Sequence, residues 1–174
     1  MKQVSVPDRD IVLIANDIRS THNVGSLFRT AECLGVTKLF LTGYTPYPSL
    51  ENDPRLPHLH TKLSTQIHKT ALGTENSIPW EQTADIFTLL QDLRSQGYGI
   101  AGLEQSPASI DVTSWKPGDK IAILLGREFE GIDQKLLEHC DYVVEIPQFG
   151  KKESLNVVQA AAIALYQARF APFV

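Results

Sequence analysis

Asn23, Arg29, Glu128, Glu130, Ser154 and Asn156 are side chains whose types could do chemistry in this sequence. The first two fall in NDIRSTHNVGSLFRTAECLG, directly after the apolar stretch DIVLIA. Asn16 closes that apolar run, and Asn23 sits in the first turn of the helix that follows. Backbone N–H groups at a helix N-terminus favour an anion such as a phosphate. Arg29 lies one turn beyond Gly25, whose missing side chain would leave the guanidinium accessible. A plain helix cap with a solvated surface arginine fits the same residues.

Glu128 lies in LLGREFEGID, where Gly126 and Gly131 make a tight turn that a flat ring could approach closely. No G-K-[ST] follows and no G-x-G-x-x-G is present, so this is neither a P-loop nor a dinucleotide fingerprint. Glu128 and Glu130 could equally be solvated turn carboxylates. Ser154 and Asn156 belong to EIPQFGKKESLNVVQAAAIALYQARF. There a strand ends at Pro147, Gly150 turns the chain, Ser154 is placed to cap the final helix, and Asn156 falls in its first turn. Leu155, Val158, Ala162 and Leu165 make one apolar stripe; Val157, Ala160, Ala161, Ala164 and Ala168 make another. Such a helix is buried twice, on the sheet and on something else, such as a second subunit.

The elements that must position these residues alternate through the chain. Strands are predicted at DIVLIAN, VTKLFLTG, YGIAGLE, KIAILLG and YVVEIP. Helices are predicted from about His22 to Leu34, from His58 to Thr70, over TADIFTLLQDLRSQG closed by Gly97, over DQKLLEHC, and from about Ser154 to Phe170. The prolines of YTPYPSLENDPRLP exclude regular structure there. Near-continuous apolar strands separated by helices predict an α/β fold, a mostly parallel sheet with helices on both faces. In such sheets ligands bind beyond the carboxyl ends of the strands, where all three polar segments fall.

The bulk numbers bound the function. The 174 residues, 43% hydrophobic and 21% charged, make one globular domain. The opening MKQVSVPDRD has no apolar signal-peptide core and no run nears the ~20 residues of a membrane span, which predicts a cytoplasmic protein with no membrane partner. Cys33 and Cys140 form no C-x-x-C pair and read as buried free thiols. A net charge of −4 does not advertise nucleic-acid binding. A local basic face could still be built from Arg19, Arg29, Arg55, Lys62, Lys69, Arg127, Lys151 and Lys152. His58, His60 and His68 invite a metal, but HLH sits on a polar segment without a nearby acidic partner, so they read as surface histidines and no metal is expected.

Taken in order, the three polar segments resemble the three motifs of the SpoU (TrmH-like) branch of the SPOUT superfamily of RNA methyltransferases. The resemblance runs from Asp10 to Tyr166, and HKTALGTENSIPWE resembles a segment many members carry before the third helix. It implies a C-terminal deep trefoil knot. It also implies S-adenosyl-L-methionine held bent by the knotted turns, which fall near Leu103, at Gly126, at Ile146, and at Ser154 and Leu155. The implied reaction is methyl transfer to a ribose 2′-hydroxyl of tRNA or rRNA, in a homodimer whose active site is shared between subunits. By position, Arg29 matches the family's catalytic arginine. A general-base role assisted by an RNA phosphate is proposed for it in the family, although a guanidinium effectively never deprotonates. Binding that phosphate and aligning the hydroxyl asks less of it. Asn23, Glu128, Ser154 and Asn156 match the other active-site positions. The chain reads as a single methyltransferase domain without a separate RNA-binding domain, and Gln159 stands where members often carry a small residue. The alternative is a catalytically silent RNA-binding adaptor, which would be expected to have lost some of these five residues; all five are present.

Overall fold

β1 (Asp10–Asn16) lies near the middle of a seven-stranded sheet because both its faces are apolar. Along it Ile11, Leu13 and Ala15 enter one core while Val12 and Ile14 enter the other, the two-residue alternation of a pleated strand buried on both sides. The computed structural model describes residues 8–172. The first seven residues of MKQVSVPDRD, and residues 173 and 174, lie outside it.

The remaining elements are α1 (Thr21–Cys33), β2 (Lys38–Thr42), α2 (Pro57–Ala71), a 3₁₀ turn (Thr74–Asn76), β3 (Trp80–Thr83), α3 (Ile86–Ser95), β4 (Gly99–Leu103), β5 (Ile110–Asp111), β6 (Lys120–Leu125), α4 (Gln134–Leu137), β7 (Tyr142–Glu145) and α5 (Val157–Phe170). The strand order is β3-β2-β1-β6-β4-β7-β5 and every pairing is parallel. α1, α2 and α5 cover one face, and α3 and α4 cover the other. The predicted α/β class with helices on both faces is therefore what the chain forms.

Two strands have no counterpart among the predicted elements. β3 and β5 are the edge strands, four and two residues long and only partly buried. Trp80 alone packs on the core, so neither strand carries an apolar run, and the helix predicted from Thr83 starts instead at Ile86 behind the Asp85 cap.

The final helix starts later than predicted. Its N-cap is Asn156, whose side chain accepts the Val158 N–H at 2.9 Å, so Ser154 does not cap it and Asn156 precedes the first turn. The inward face of α5 is Ala161, Ala164, Leu165 and Ala168, the i, i+3, i+4, i+7 set of a single stripe. Ala161 and Ala164 are thus consumed by the chain's own core; the outward residues are Ile163, Tyr166 and Phe170. Two arginines lock the end of this helix. Buried Arg9 donates to the carbonyls of Ala168 and Ala171, and Arg169 donates to those of Leu34, Gly35 and Arg9.

Two smaller expectations fail at α1. Gly25 is buried: a Cβ there would overlap the Ile67 carbonyl and the Thr70 hydroxyl, so this glycine admits α2 and does not serve Arg29. Cys33 is exposed, because the buried face of α1 is Val24, Gly25, Leu27, Phe28 and Ala31. Cys140 is a partly buried free thiol, pushed up to about 11 by that burial.

Candidate active site

The three motif segments converge at the carboxyl ends of β1, β4, β6 and β7. β6 ends in Leu125, and the chain then doubles back through a narrow turn. Arg127 N–H donates to the Gly131 carbonyl at 3.0 Å and Gly131 N–H returns to the Arg127 carbonyl at 3.2 Å. Gly126 faces the backbone of Gly131 and Ile132 so closely that no side chain would fit. Gly131 itself has φ +70°, in the left-handed region.

This turn presents Glu128 to α1. One carboxylate oxygen accepts the Arg19 N–H at 3.1 Å, and the other accepts the Ser20 N–H and the Asn23 side-chain amide, both at 3.1 Å. The anion at the N-terminus of α1 is therefore the protein's own Glu128, and the N–H groups just ahead of the helix are not open to an external phosphate. Burial pushes the Glu128 carboxyl up, but the N–H groups of Arg19, Ser20 and Glu128 itself, with the Asn23 amide, outweigh it and hold the group below the usual range. Asn23 then links onward: its side-chain carbonyl accepts the Asn156 amide at 3.3 Å, while Asn156 caps α5. Glu128, Asn23 and Asn156 form one hydrogen-bonded chain joining the N-termini of two helices.

Arg29 stands apart from this chain. It is exposed, about 9 Å along α1 from Asn23 at 1.5 Å per residue, on the stripe that also carries His22. Among the described residues it has no hydrogen bond or ion pair. Its guanidinium faces solvent.

Beside Glu128 a cleft opens, walled by the turns after β4, β6 and β7. Leu103, Gly126, Ile146, Ser154 and Leu155 all line it, so the five positions expected to hold a cofactor meet in one place. Val144, Val157 and Ala160 add apolar wall, and Gln105 and Gln148 add amides. Gln105 donates to the Glu153 carbonyl at 2.8 Å, tying the turn after β4 to the segment before α5. Ser154, although no cap, is an exposed hydroxyl on this cleft.

Sequence reading missed Glu104. Its carboxylate accepts the Ile132 N–H at 2.7 Å and the Gln105 N–H at 2.9 Å, pinning the glycine turn to the end of β4. The signal was available: a carboxylate one residue beyond a buried strand, at the edge where ligands bind. Asp17 was missed too. It adopts φ +57°, accepts the Tyr44 N–H at 3.1 Å and pairs with Arg127 at 3.2 Å.

Two members of the expected basic face are otherwise engaged. Arg55 pairs with Asp53, donates to the Tyr47 and Pro48 carbonyls and stacks 3.6 Å from the Tyr47 ring, so it orders the proline-rich loop. Arg127 is held by Asp17. Arg19, Arg29, Lys62, Lys69, Lys151 and Lys152 are exposed. Of the histidines, His60 meets the Ser49 hydroxyl at 2.8 Å and His68 meets Glu75 at 2.5 Å.

Known proteins resemble the chain in sequence and in fold. The chain is 31% identical over 164 residues to the 23S rRNA (guanosine-2′-O-)-methyltransferase RlmB of Xanthomonas axonopodis pv. citri, covering 92% of this chain and 58% of that protein. The chain thus spans little more than half the length of such curated relatives. In fold it matches the AdoMet-bound rRNA methyltransferase from Sinorhizobium meliloti with a TM-score of 0.77 at 23% identity, over 92% of this chain and 56% of the other. It matches the A. aeolicus TrmH/SpoU tRNA modifying enzyme with a TM-score of 0.75 at 21% identity, over 92% and 75%. The profile of the SpoU rRNA Methylase family matches residues 10–166, from the first residue of β1 to within α5, and the chain belongs to that family.

Proposed function

We propose that the chain transfers a methyl group from S-adenosyl-L-methionine to a ribose 2′-hydroxyl of tRNA or rRNA. The observation that carries this reading is the Glu128–Asn23–Asn156 chain beside a cleft that all five cofactor positions line. The cleft suits the cofactor: apolar Leu103, Ile146 and Leu155 flank a flat ring, and Gly126 lets backbone approach it. Glu104, Glu128 and Glu145 add carboxylates, which suit a ligand with two cationic centres. When bound, the cofactor supplies an electrophilic methyl on a cationic sulfur. The protein's part is orientation. Arg29, fixed in charge and free of partners, takes the phosphate next to the acceptor ribose, while Ser154 and the amides of Asn23 and Asn156 shape the place of the hydroxyl. Glu128 stays ionised and braces these amides.

The same proposal includes the trefoil knot and a homodimer. Supporting the knot, the connection between β4 and β6 lies along one side of α5, where Gln167 reaches the Thr113 and Trp115 carbonyls. Arg169 ties the other side to the turn after α1. Supporting the dimer, Ile163, Tyr166 and Phe170 leave an apolar stripe on α5, with the last two rings 4.5 Å apart. Among the described residues no helix is long and apolar enough to cross a membrane; a cytoplasmic site of action belongs to the same reading. The test is a map of 2′-O-methyl groups in RNA from cells with and without the gene. A ribose methylated only when the gene is present is the expected result, and identical maps would overturn the reading.

A further inference from the structure

A second cleft lies on the other side of Arg19, between the start of α1, the loop after β2 and α2. Its lining includes Arg19, Thr21, Tyr44, Tyr47, Arg55 and Leu63, and no carboxylate. Tyr47 is already covered, by the Arg55 guanidinium at 3.6 Å and by Trp80. Tyr44 is different. Its ring is half exposed and packs on no other aromatic side chain among the described residues; only the Arg19 guanidinium stands over it, 5.9 Å from the centroid. Its backbone is fixed, because the Tyr44 N–H is held by Asp17, itself paired with Arg127. The Tyr44 side chain is hydrogen-bonded to Arg19, but the ring face itself is left open; a planar ring on a rigid stem beside a cation is suited to stacking.

The neighbouring helix points to the same ligand. No carboxylate occurs between Asp53 and Glu75, in a chain that carries 20 of them. His58, Lys62, Thr65 and Lys69 fall at i, i+4, i+7 and i+11 of α2 and are all exposed. That is a polar stripe with two fixed positive charges, running beside Leu63, which lines the cleft. Arg19 bonds the Tyr44 side chain, but its ion pair with Glu130 is long at 3.8 Å and both of those side chains are more than half exposed, so the guanidinium keeps donors to spare.

We infer that this cleft receives an unpaired nucleotide of the RNA, its base stacked on Tyr44 and its flanking phosphates drawn along Lys62 and Lys69 of α2. The inference rests on RNA being the substrate and adds where the strand runs. A single strand fits because its bases are free to splay onto an aromatic face; in a duplex they are already stacked. The site explains how a chain of net negative charge holds a polyanion: the attraction is local to a helix without carboxylates.

The test is fluorescence anisotropy of the full chain with a labelled mixed-sequence single-stranded RNA of about ten nucleotides, a length typical of single-strand binding sites, and with the matching duplex. Tyr44→Ala should weaken single-strand binding about 5- to 100-fold, the range set by losing one base–aromatic stack. Tyr44→Phe, which keeps the ring, should stay near wild type. Lys62→Glu with Lys69→Glu should flatten the salt dependence, removing about 0.7 from the log–log slope per lost phosphate contact. Cofactor binding by calorimetry should be unchanged in every variant. Wild-type affinity in Tyr44→Ala, equal loss in Tyr44→Phe, or duplex bound as well as single strand would overturn the assignment. Should Tyr44→Ala fail to fold, the lysine variant decides: an unaltered salt slope rejects the site. If the wild type binds the cofactor but no RNA, the substrate reading itself falls, and the two failures are told apart.

Discussion

Arg29 and Glu128 show how two charged residues in one motif set take opposite parts. Glu128 is spent inside the protein, its carboxylate held by Arg19, Ser20 and Asn23 at the start of α1; the Arg29 side chain is bonded to none of the described residues. Arg29→Ala should therefore lower the single-turnover methylation rate by roughly 10²-fold or more, a few kcal/mol of lost positioning. Cofactor affinity by calorimetry should barely move. Arg29→Lys should rescue little, because a point charge does not reproduce the planar fork. For Glu128 the prediction concerns pH. Its carboxyl is held below the usual range in the fold, so the stabilisation is complete above the unfolded value of about 4.3 and is lost as pH falls through the lower folded one. Glu128→Gln should melt below wild type at neutral pH, and the gap should close on titration under about pH 4. Thermal melts of the two proteins across pH 3 to 7 test the sign.

At the scale of elements, the informative contacts are those where backbones meet. Gly25 admits α2 against α1, and even Gly25→Ala places a methyl on the Ile67 carbonyl. The expected cost is about 1–3 kcal/mol by overpacking, read as a lower urea midpoint with unchanged m-value. On α5 the inward and outward stripes should respond differently. Ala161→Glu buries a charge in a closed core and should abolish folding. Tyr166→Glu, on a side chain 58% exposed, should leave a folded chain whose mass by light scattering falls from dimer to monomer. A dimer that survives Tyr166→Glu would move the interface elsewhere.

For the whole molecule, the ends of the described chain are tied together through Arg9, which gathers the carbonyls of Ala168 and Ala171 and lies against the Arg169 clamp. Burial pushes the Arg9 guanidinium down from its ordinary value, though not out of its charged state. The clamp holds α5, and the Asn156 cap of α5 lies between Leu155 and Val157, which line the cleft proposed for the cofactor. Arg9→Ala, which leaves several buried carbonyls unpaired, should lower the melting temperature and weaken cofactor binding together. S-adenosyl-L-methionine should restore part of the lost stability, by RT ln(1 + [L]/Kd). A variant that melts early but binds the cofactor at wild-type affinity would show that the clamp does not reach the cleft.

The sequence by itself determined the alternation of elements, because β1 and β6 are apolar on both faces and a strand so buried has only one class of sheet to belong to. It also marked the polar segments just beyond such strands, and Leu103, Gly126, Ile146, Ser154 and Leu155 do line one cleft there. It did not determine pairings across the chain. That Glu128 would occupy the donors before α1, that Asn156 and not Ser154 would cap α5, and that Glu104 would pin the glycine turn are facts about residues up to 133 positions apart. Local propensity contains no term for them. Gly25 was legible as a special position but not for its reason, which is the distance to α2. The edge strands β3 and β5 were hidden because burial writes the strand pattern into a sequence, and these short edges are only partly buried. Only the tertiary structure decided which stripe of α5 faces inward, because alanines fit either side of a helix and the sheet beneath it chooses.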